Sequence, residues 1–226
     1  NDVANDAIAY TNEVANALVK EVELEIGGQR IDKHYSEWLS IWSELNLTQS
    51  QKGTNILEGY NAMVGRNPTL EGGEAPTSIT ALETKAAGVT GGADNTYYTP
   101  LRFWFNRNPG LALPLIALQY HEVKVKVTLN KLENLVRTDI QADLASTDVL
   151  TRGGNAVNIS PKLFVDYVYL DTDERRRFAQ VSHEYLIEQL QDRQESVALG
   201  STSTQVDLNF NHPVKELVWV FVRADR

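Results

Sequence analysis

The chain has 226 residues, 21 Lys and Arg against 30 Asp and Glu, a formal net charge of −9 and no cysteine. Affinity for a phosphate backbone comes mainly from Lys and Arg displacing counterions, so this acidic excess argues against direct nucleic-acid binding. The missing cysteine excludes a disulfide framework, a thiolate metal site and a cysteine nucleophile, and no apolar run reaches the ~20 residues of a membrane-spanning helix.

The first residues, Asn1 to Asn5, carry neither the basic start nor the apolar stretch of a secretory signal. From Leu18 the chain alternates strictly: Val22, Leu24 and Ile26 fall on one face and Glu21, Glu23 and Glu25 on the other. Gly27-Gly28 tolerates positive φ at both centres of a tight turn, and Gln29 to Tyr35 returns, so Leu18 to Tyr35 is predicted to be a β-hairpin. Ser36 is a candidate cap for a short helix over Glu37 to Leu45, where Trp38, Leu39, Ile41, Trp42 and Leu45 recur at helical spacing.

Between Asn46 and Asn95 Gly, Thr, Asn and Ala dominate, which predicts a long loop or loop cluster with flexible points at Gly72-Gly73 and Gly91-Gly92. Pro100 to Phe105 is predicted to be a strand. Leu111 to Leu118, beyond the turn Asn108-Pro109-Gly110, is an edge or irregular segment because Pro114 cannot donate to a ladder. Val123, Val125, Val127 and Leu129 alternate with Lys124, Lys126 and Thr128, the clearest strand signal in the chain.

Leu163 to Leu170 is β-rich, and Asp171 with Glu174 three positions later supplies a cap for a short helix near Arg175 to Gln180. Periodicity leaves Glu184 to Gln191 open between helix and strand. A Gly/Ser/Thr stretch, Gly200 to Thr204, precedes a strand over Val206 to Phe210, then His212-Pro213 and the apolar Leu217 to Val222. Several strands at irregular spacing, few helices and long loops predict an all-β antiparallel sandwich or jelly roll, since parallel α/β folds need a regular helix between strands.

Four blocks carry a resemblance. They are VELEIGGQRIDKHYSEW at Val22 to Trp38, FNRNPGLALPLIALQYHEVKV at Phe105 to Val125, DYVYLDTDERRRFAQVSHEYLIEQLQ at Asp166 to Gln191, and LNFNHPVKELVWV at Leu208 to Val220. In this order and spacing the chain resembles the major capsid proteins of the nucleocytoplasmic large DNA viruses, such as iridoviruses and chlorella viruses. So many long blocks in order are far more specific than a short motif.

The resemblance implies a double jelly roll, with three chains forming a pseudo-hexagonal capsomer that tiles an icosahedral shell over an inner viral membrane, without insertion into it. It also implies contacts with neighbouring capsomers and minor capsid proteins, no direct nucleic-acid binding, and a place in the virion capsid after assembly in the host cytoplasm. On the same mapping residues 1–199 are most of the first jelly-roll domain, incomplete at its N-terminus, 200–205 a linker and 206–226 the start of the second. Strands expected ahead of the hairpin are absent and the chain stops with the second sandwich barely begun, which reads as part of a longer protein. The mapping also makes Glu184 to Gln191 extended.

Residues that invite a chemical reading have plainer ones. His34, His121, His183 and His212 lie in unrelated segments without the spacing of a metal-binding motif. Ser182-His183-Glu184 are sequence neighbours and cannot converge as a triad, and no G-x-S-x-G elbow exists. Arg175-Arg176-Arg177 stands beside Asp171, Asp173 and Glu174, which favours local ion pairing or an intersubunit contact over phosphate binding.

Glu21, Glu23 and Glu25 are the solvated side of a strand, able to pair with Lys124 and Lys126. The sequons at Asn46 and Asn158 read as unmodified asparagines without an export signal. Trp38, Trp42, Trp104 and Trp219 sit in apolar neighbourhoods and are expected as core or interface anchors. No catalytic residue, cofactor or metal is expected. The reading is a structural capsid protein and not an enzyme, with a carbohydrate-binding jelly-roll module as the alternative.

Overall fold

The structure, a computed structural model, describes residues 8–53, 58–66, 96–138, 160–198 and 200–221. The chain divides into two compact units, residues 1–189 and 190–226.

The first unit opens with β1 (Ile8–Tyr10) and α1 (Val14–Leu18), then forms the predicted hairpin from β2 (Val19–Ile26) and β3 (Gln29–Tyr35). Gly27 and Gly28 take φ of 59° and 80° at the turn, where an L side chain would be strained. The predicted valine strand forms as β4 (Val123–Leu129) and pairs antiparallel with β2, giving the order β3-β2-β4. β5 (Val136–Thr138) pairs antiparallel with β1 in a separate two-stranded ladder, which corrects the expectation that no strand precedes the hairpin.

Alternation puts Val22 and Leu24 on the inner face with no exposed surface, and burial of each contributes roughly 1.5–3 kcal/mol. Val19 is three residues from Val22 and would point outward in a regular strand. A bulge between Val19 and Glu21 inserts Lys20 as the extra residue, and Val19 returns to the core. A second bulge leaves Ile31 unpaired between Arg30 and Asp32, and Ile31 packs against the same core. Leu39, Phe103 and Trp104 complete the buried cluster.

α2 (Ser36–Asn46) covers the predicted helix and seats Leu39 on the sheet. Its cap position is Tyr35 and not Ser36, because the chain is still extended at Tyr35, and the Ser36 hydroxyl donates to Glu37 Oε2 at 3.1 Å. The expected loop beyond Asn46 holds two short helices, α3 (Gln49–Lys52) and α4 (Gly59–Val64). Thr48 starts α3 with a capping box: its Oγ1 accepts from Gln51 N–H, and Thr48 N–H donates to Gln51 Oε1 at 3.0 Å. The expected Gly72-Gly73 and Gly91-Gly92 points lie outside the described residues.

The strand expected over Pro100 to Phe105 does not form. Asn106 Nδ2 donates to Leu101 O at 3.1 Å and Arg107 Nε to Arg102 O at 2.9 Å, so side chains take the carbonyls that a ladder would have used. The chain turns instead into α5 (Trp104–Arg107), and Pro109–Leu111 is a 3-10 turn started by Asn108. Leu111 to Leu118 is irregular, as its proline predicts.

The β-rich Leu163 to Leu170 joins no ladder, and Phe164 and Tyr169 are 79% and 92% exposed. High strand propensity is realised only with a partner strand beside it. α6 (Thr172–Gln180) follows with its predicted cap, Asp171 Oδ1 accepting from Glu174 N–H at 2.8 Å. Glu184 to Gln191 is neither helix nor ladder strand.

In the second unit the expected strand over Val206 to Phe210 is not formed among the described residues. There the Gln191 amide imitates a strand neighbour. It accepts from Asn211 N–H and donates to Asn211 O, both at 3.1 Å.

Candidate assembly surfaces

The outer face of β3-β2-β4 is a charge ladder laid down by the same alternation that buries Val22 and Leu24. Lys33 Nζ lies 2.6 Å from Glu21 and 3.4 Å from Glu23, Arg30 lies 3.6 Å from Glu23, and Lys126 pairs with Glu25. The hydrogen bond from Lys33 holds the Glu21 carboxyl below its ordinary value, and the one from Lys126 does the same for Glu25. Glu21 in turn raises Lys33. The expected cross-strand pairing with β4 thus forms through Lys126, whereas Lys124 turns to Glu122, 2.9 Å away. The sequence reading missed Lys33 and Arg30, three residues apart, which share this face because the bulge at Ile31 lies between them.

Among the described residues the inner face carries one ionisable pair. His34 Nε2 lies 3.0 Å from Asp32 Oδ2, with both side chains almost fully enclosed, and the His34 ring stacks on Phe103 at 4.5 Å. Asp32 Oδ1 also accepts from Lys33 N–H at 2.9 Å. His34 is therefore held among core side chains. His121 is exposed beside the hairpin turn, and its Nδ1 would lie 2.8 Å from a Cβ added at Gly27. His183 Nε2 sits 2.7 Å from Phe178 O, with the two rings 5.1 Å apart, so the His183 ring is held against the end of the helix over 172–180. His212 is exposed with φ 68°. Among the described residues no group of three or more His, Asp or Glu gathers in a metal-binding arrangement.

The tryptophans take different environments. Trp104 belongs to the core, Trp38 and Trp42 are half-buried, and Trp219 is 63% exposed. The Arg102 guanidinium lies over Trp42 at 4.2 Å, and burial lowers its affinity for a proton. Arg107 reaches the same ring at 5.8 Å and ion-pairs with Glu188 at 2.7 Å. On α6, Arg176 pairs with Asp173 at 3.7 Å, the first of the two readings the sequence left open, and Arg175 donates to Leu170 O at 3.3 Å.

The Asn46 amide donates to Trp42 O at 3.0 Å, and Thr48 of that sequon is engaged in the α3 cap. Asn158 lies outside the described residues. No helix among the described residues is long and apolar enough to cross a membrane.

These residues build a wall, with charge paired on one side and aliphatic and aromatic side chains packed on the other. Comparison with known proteins gives that wall a lineage. Residues 2–171 match the family described as major capsid protein N-terminus, and residues 174–226 match the large eukaryotic DNA virus major capsid protein. The major capsid protein of Pyramimonas orientalis virus is 49% identical over 95% of this chain and 46% of its own length. That of Paramecium bursaria Chlorella virus 1 is 41% identical over 91% and 40%. Capsid protein 1 of Acanthamoeba polyphaga mimivirus is 45% identical over 94% and 33%.

The crystal structure of PBCV-1 VP54, fitted into a reconstruction of the virophage Sputnik, superposes with a TM-score of 0.50 at 33% identity. It covers 84% of this chain and 42% of that one. The chain belongs to the major capsid protein family of large eukaryotic DNA viruses, a family of structural proteins and not of enzymes. It spans less than half the length of these curated relatives.

Proposed function

We propose that this chain is the shell-forming portion of a major capsid protein, whose work is self-association. The observation that carries the reading is the family match over residues 2–171 together with 49% identity to a major capsid protein across nearly the whole chain. The antiparallel sheet with its short helices supplies a rigid wall, and loops and edges supply contacts between copies.

In this reading residues 1–199 are most of a first jelly roll, 200–205 a linker and 206–226 the opening of a second. Three copies form a pseudo-hexagonal capsomer. Capsomers meet each other and minor capsid proteins to tile an icosahedral shell in the virion, over an inner membrane they do not enter. Assembly takes place in the host cytoplasm, and the acidic net charge keeps the wall off the genome. No residue performs catalysis or holds a cofactor or metal. The carbohydrate-binding alternative gains no support from the matches.

The test is sedimentation of the intact protein under native conditions. A trimer is expected, and a strictly monomeric species would overturn the proposal.

A further inference from the structure

Glu13 has a left-handed backbone, φ 52° and ψ 48°, in the turn between β1 and α1, and the residue is 9% exposed. A non-glycine residue keeps that conformation only where its surroundings over-determine it. Here three donors from separate elements converge on one buried carboxylate. Asn16 Nδ2 of α1 donates to Oε2 at 2.9 Å, Ser40 Oγ of α2 donates to the same oxygen at 2.5 Å, and the Arg66 guanidinium, just beyond α4, lies 3.6 Å from Oε1.

The donors are themselves tied down. Asn16 also donates to Tyr60 Oη of α4 at 3.0 Å, and Arg66 ion-pairs with Glu44 of α2, which also takes Lys52 of α3.

On the other side of the turn, the strand it aims belongs to the two-stranded ladder and not to the β3-β2-β4 sheet. Among the described residues β1 meets β5 through three residue pairs, Ile8 with Thr138 to Tyr10 with Val136, and Thr11 N–H adds one bond to Leu135 O at 2.8 Å. A two-stranded ladder is marginal by itself. We infer that Glu13 is the hub of a latch that couples the docking of β1 on β5 to the positions of α2 and α4. When the donors on those helices move, the left-handed turn loses the tertiary bonds that fix its carboxylate, and β1 is released as a local opening while β2, β3 and β4 stay closed.

The test uses donors that do not touch β1. Amide hydrogen exchange is measured on the intact protein with Ser40→Ala and, separately, Arg66→Met. The expected result is roughly tenfold or faster exchange at Ile8 to Thr11 and Val136 to Thr138, as loss of one charged hydrogen bond implies, with protection of β2 and β3 unchanged. Unchanged exchange at β1 and β5 in both variants would overturn the latch. So would a uniform rise across all strands, which would make Glu13 an ordinary contributor to global stability. Glu13→Gly separates the backbone from the carboxylate: glycine adopts the turn without strain, so its β1 exchange rises less than in Glu13→Ala. Equal rises would remove the strained turn from the account.

Discussion

Lys20 and Ile31 show how single residues set the faces of this sheet. Each is the extra residue of a bulge, and without the first, Val19 would be lost from the core. The same inner face accepts Asp32 and His34 opposite Leu24 and Val22, a polar pair where alternation alone suggests apolar side chains. Asp32→Ala should cost about 1–3 kcal/mol, because it removes the carboxylate 3.0 Å from the enclosed His34 ring. Replacing both, Asp32→Val with His34→Leu, should recover part of that loss. Urea denaturation of the single and double variants checks this, and a double variant no more stable than Asp32→Ala would contradict it. Val125 lies opposite Leu24 and packs on the same cluster, so Val125→Asp should destabilise by about 2–4 kcal/mol, read as a lower denaturation midpoint.

Strands were legible where a local rule and a tertiary partner agreed, and α6 where a cap stood by itself. The β2–β3 hairpin has alternation, a glycine pair and a returning strand; β4 has alternation and β2 to pair with; α6 has Asp171 as its cap. The bulk composition of Asn46 to Asn95 masked a short signal, since Thr48-Gln-Ser-Gln51 is a capping box and α3 forms on it. Thr48→Ala should therefore cost about 1 kcal/mol, seen as loss of amide protection confined to α3.

Pro100 to Phe105 failed for the opposite reason. Its composition favours a strand, but Asn106 and Arg107 bond back to Leu101 and Arg102, a pattern that no periodicity reveals. Leu163 to Leu170 carries strand propensity without a ladder, because propensity sets what a segment accepts and not what lies beside it. Of the candidate surface, the glutamate strip was read from the alternation of β2, whereas Glu13 was invisible: no motif marks a carboxylate whose donors come from three separate elements.

Across the molecule, net charge of −9 conceals local balance on the sheet's outer face. Glu21 and Glu25 are held below their ordinary 4.5 first by hydrogen bonds from Lys33 and Lys126, and Glu44 by one from Lys52. A carboxyl with a depressed folded value adds stability that is present above its unfolded value and lost as pH falls through the folded one. Lys33 is raised by Glu21, so its contribution is complete below its ordinary 10.5 and lost only as pH rises past the raised value. The two signs together place the full contribution of this face between those limits.

Lys33 serves Glu21 and Glu23 within the ladder, whereas Lys124 serves Glu122, which lies outside β4. Lys33→Met should therefore destabilise the intact protein more than Lys124→Met at neutral pH. The deficit of Lys33→Met should shrink as pH falls below the ordinary 4.5 of Glu21 and through its lowered folded value, because Glu21 is then being protonated in both proteins. Urea denaturation at the two pH values decides it: a deficit that does not change with pH would mean that Lys33 acts through packing of its alkyl chain and not through Glu21. Added salt should narrow the neutral-pH difference, since these groups are open enough to water to be screened.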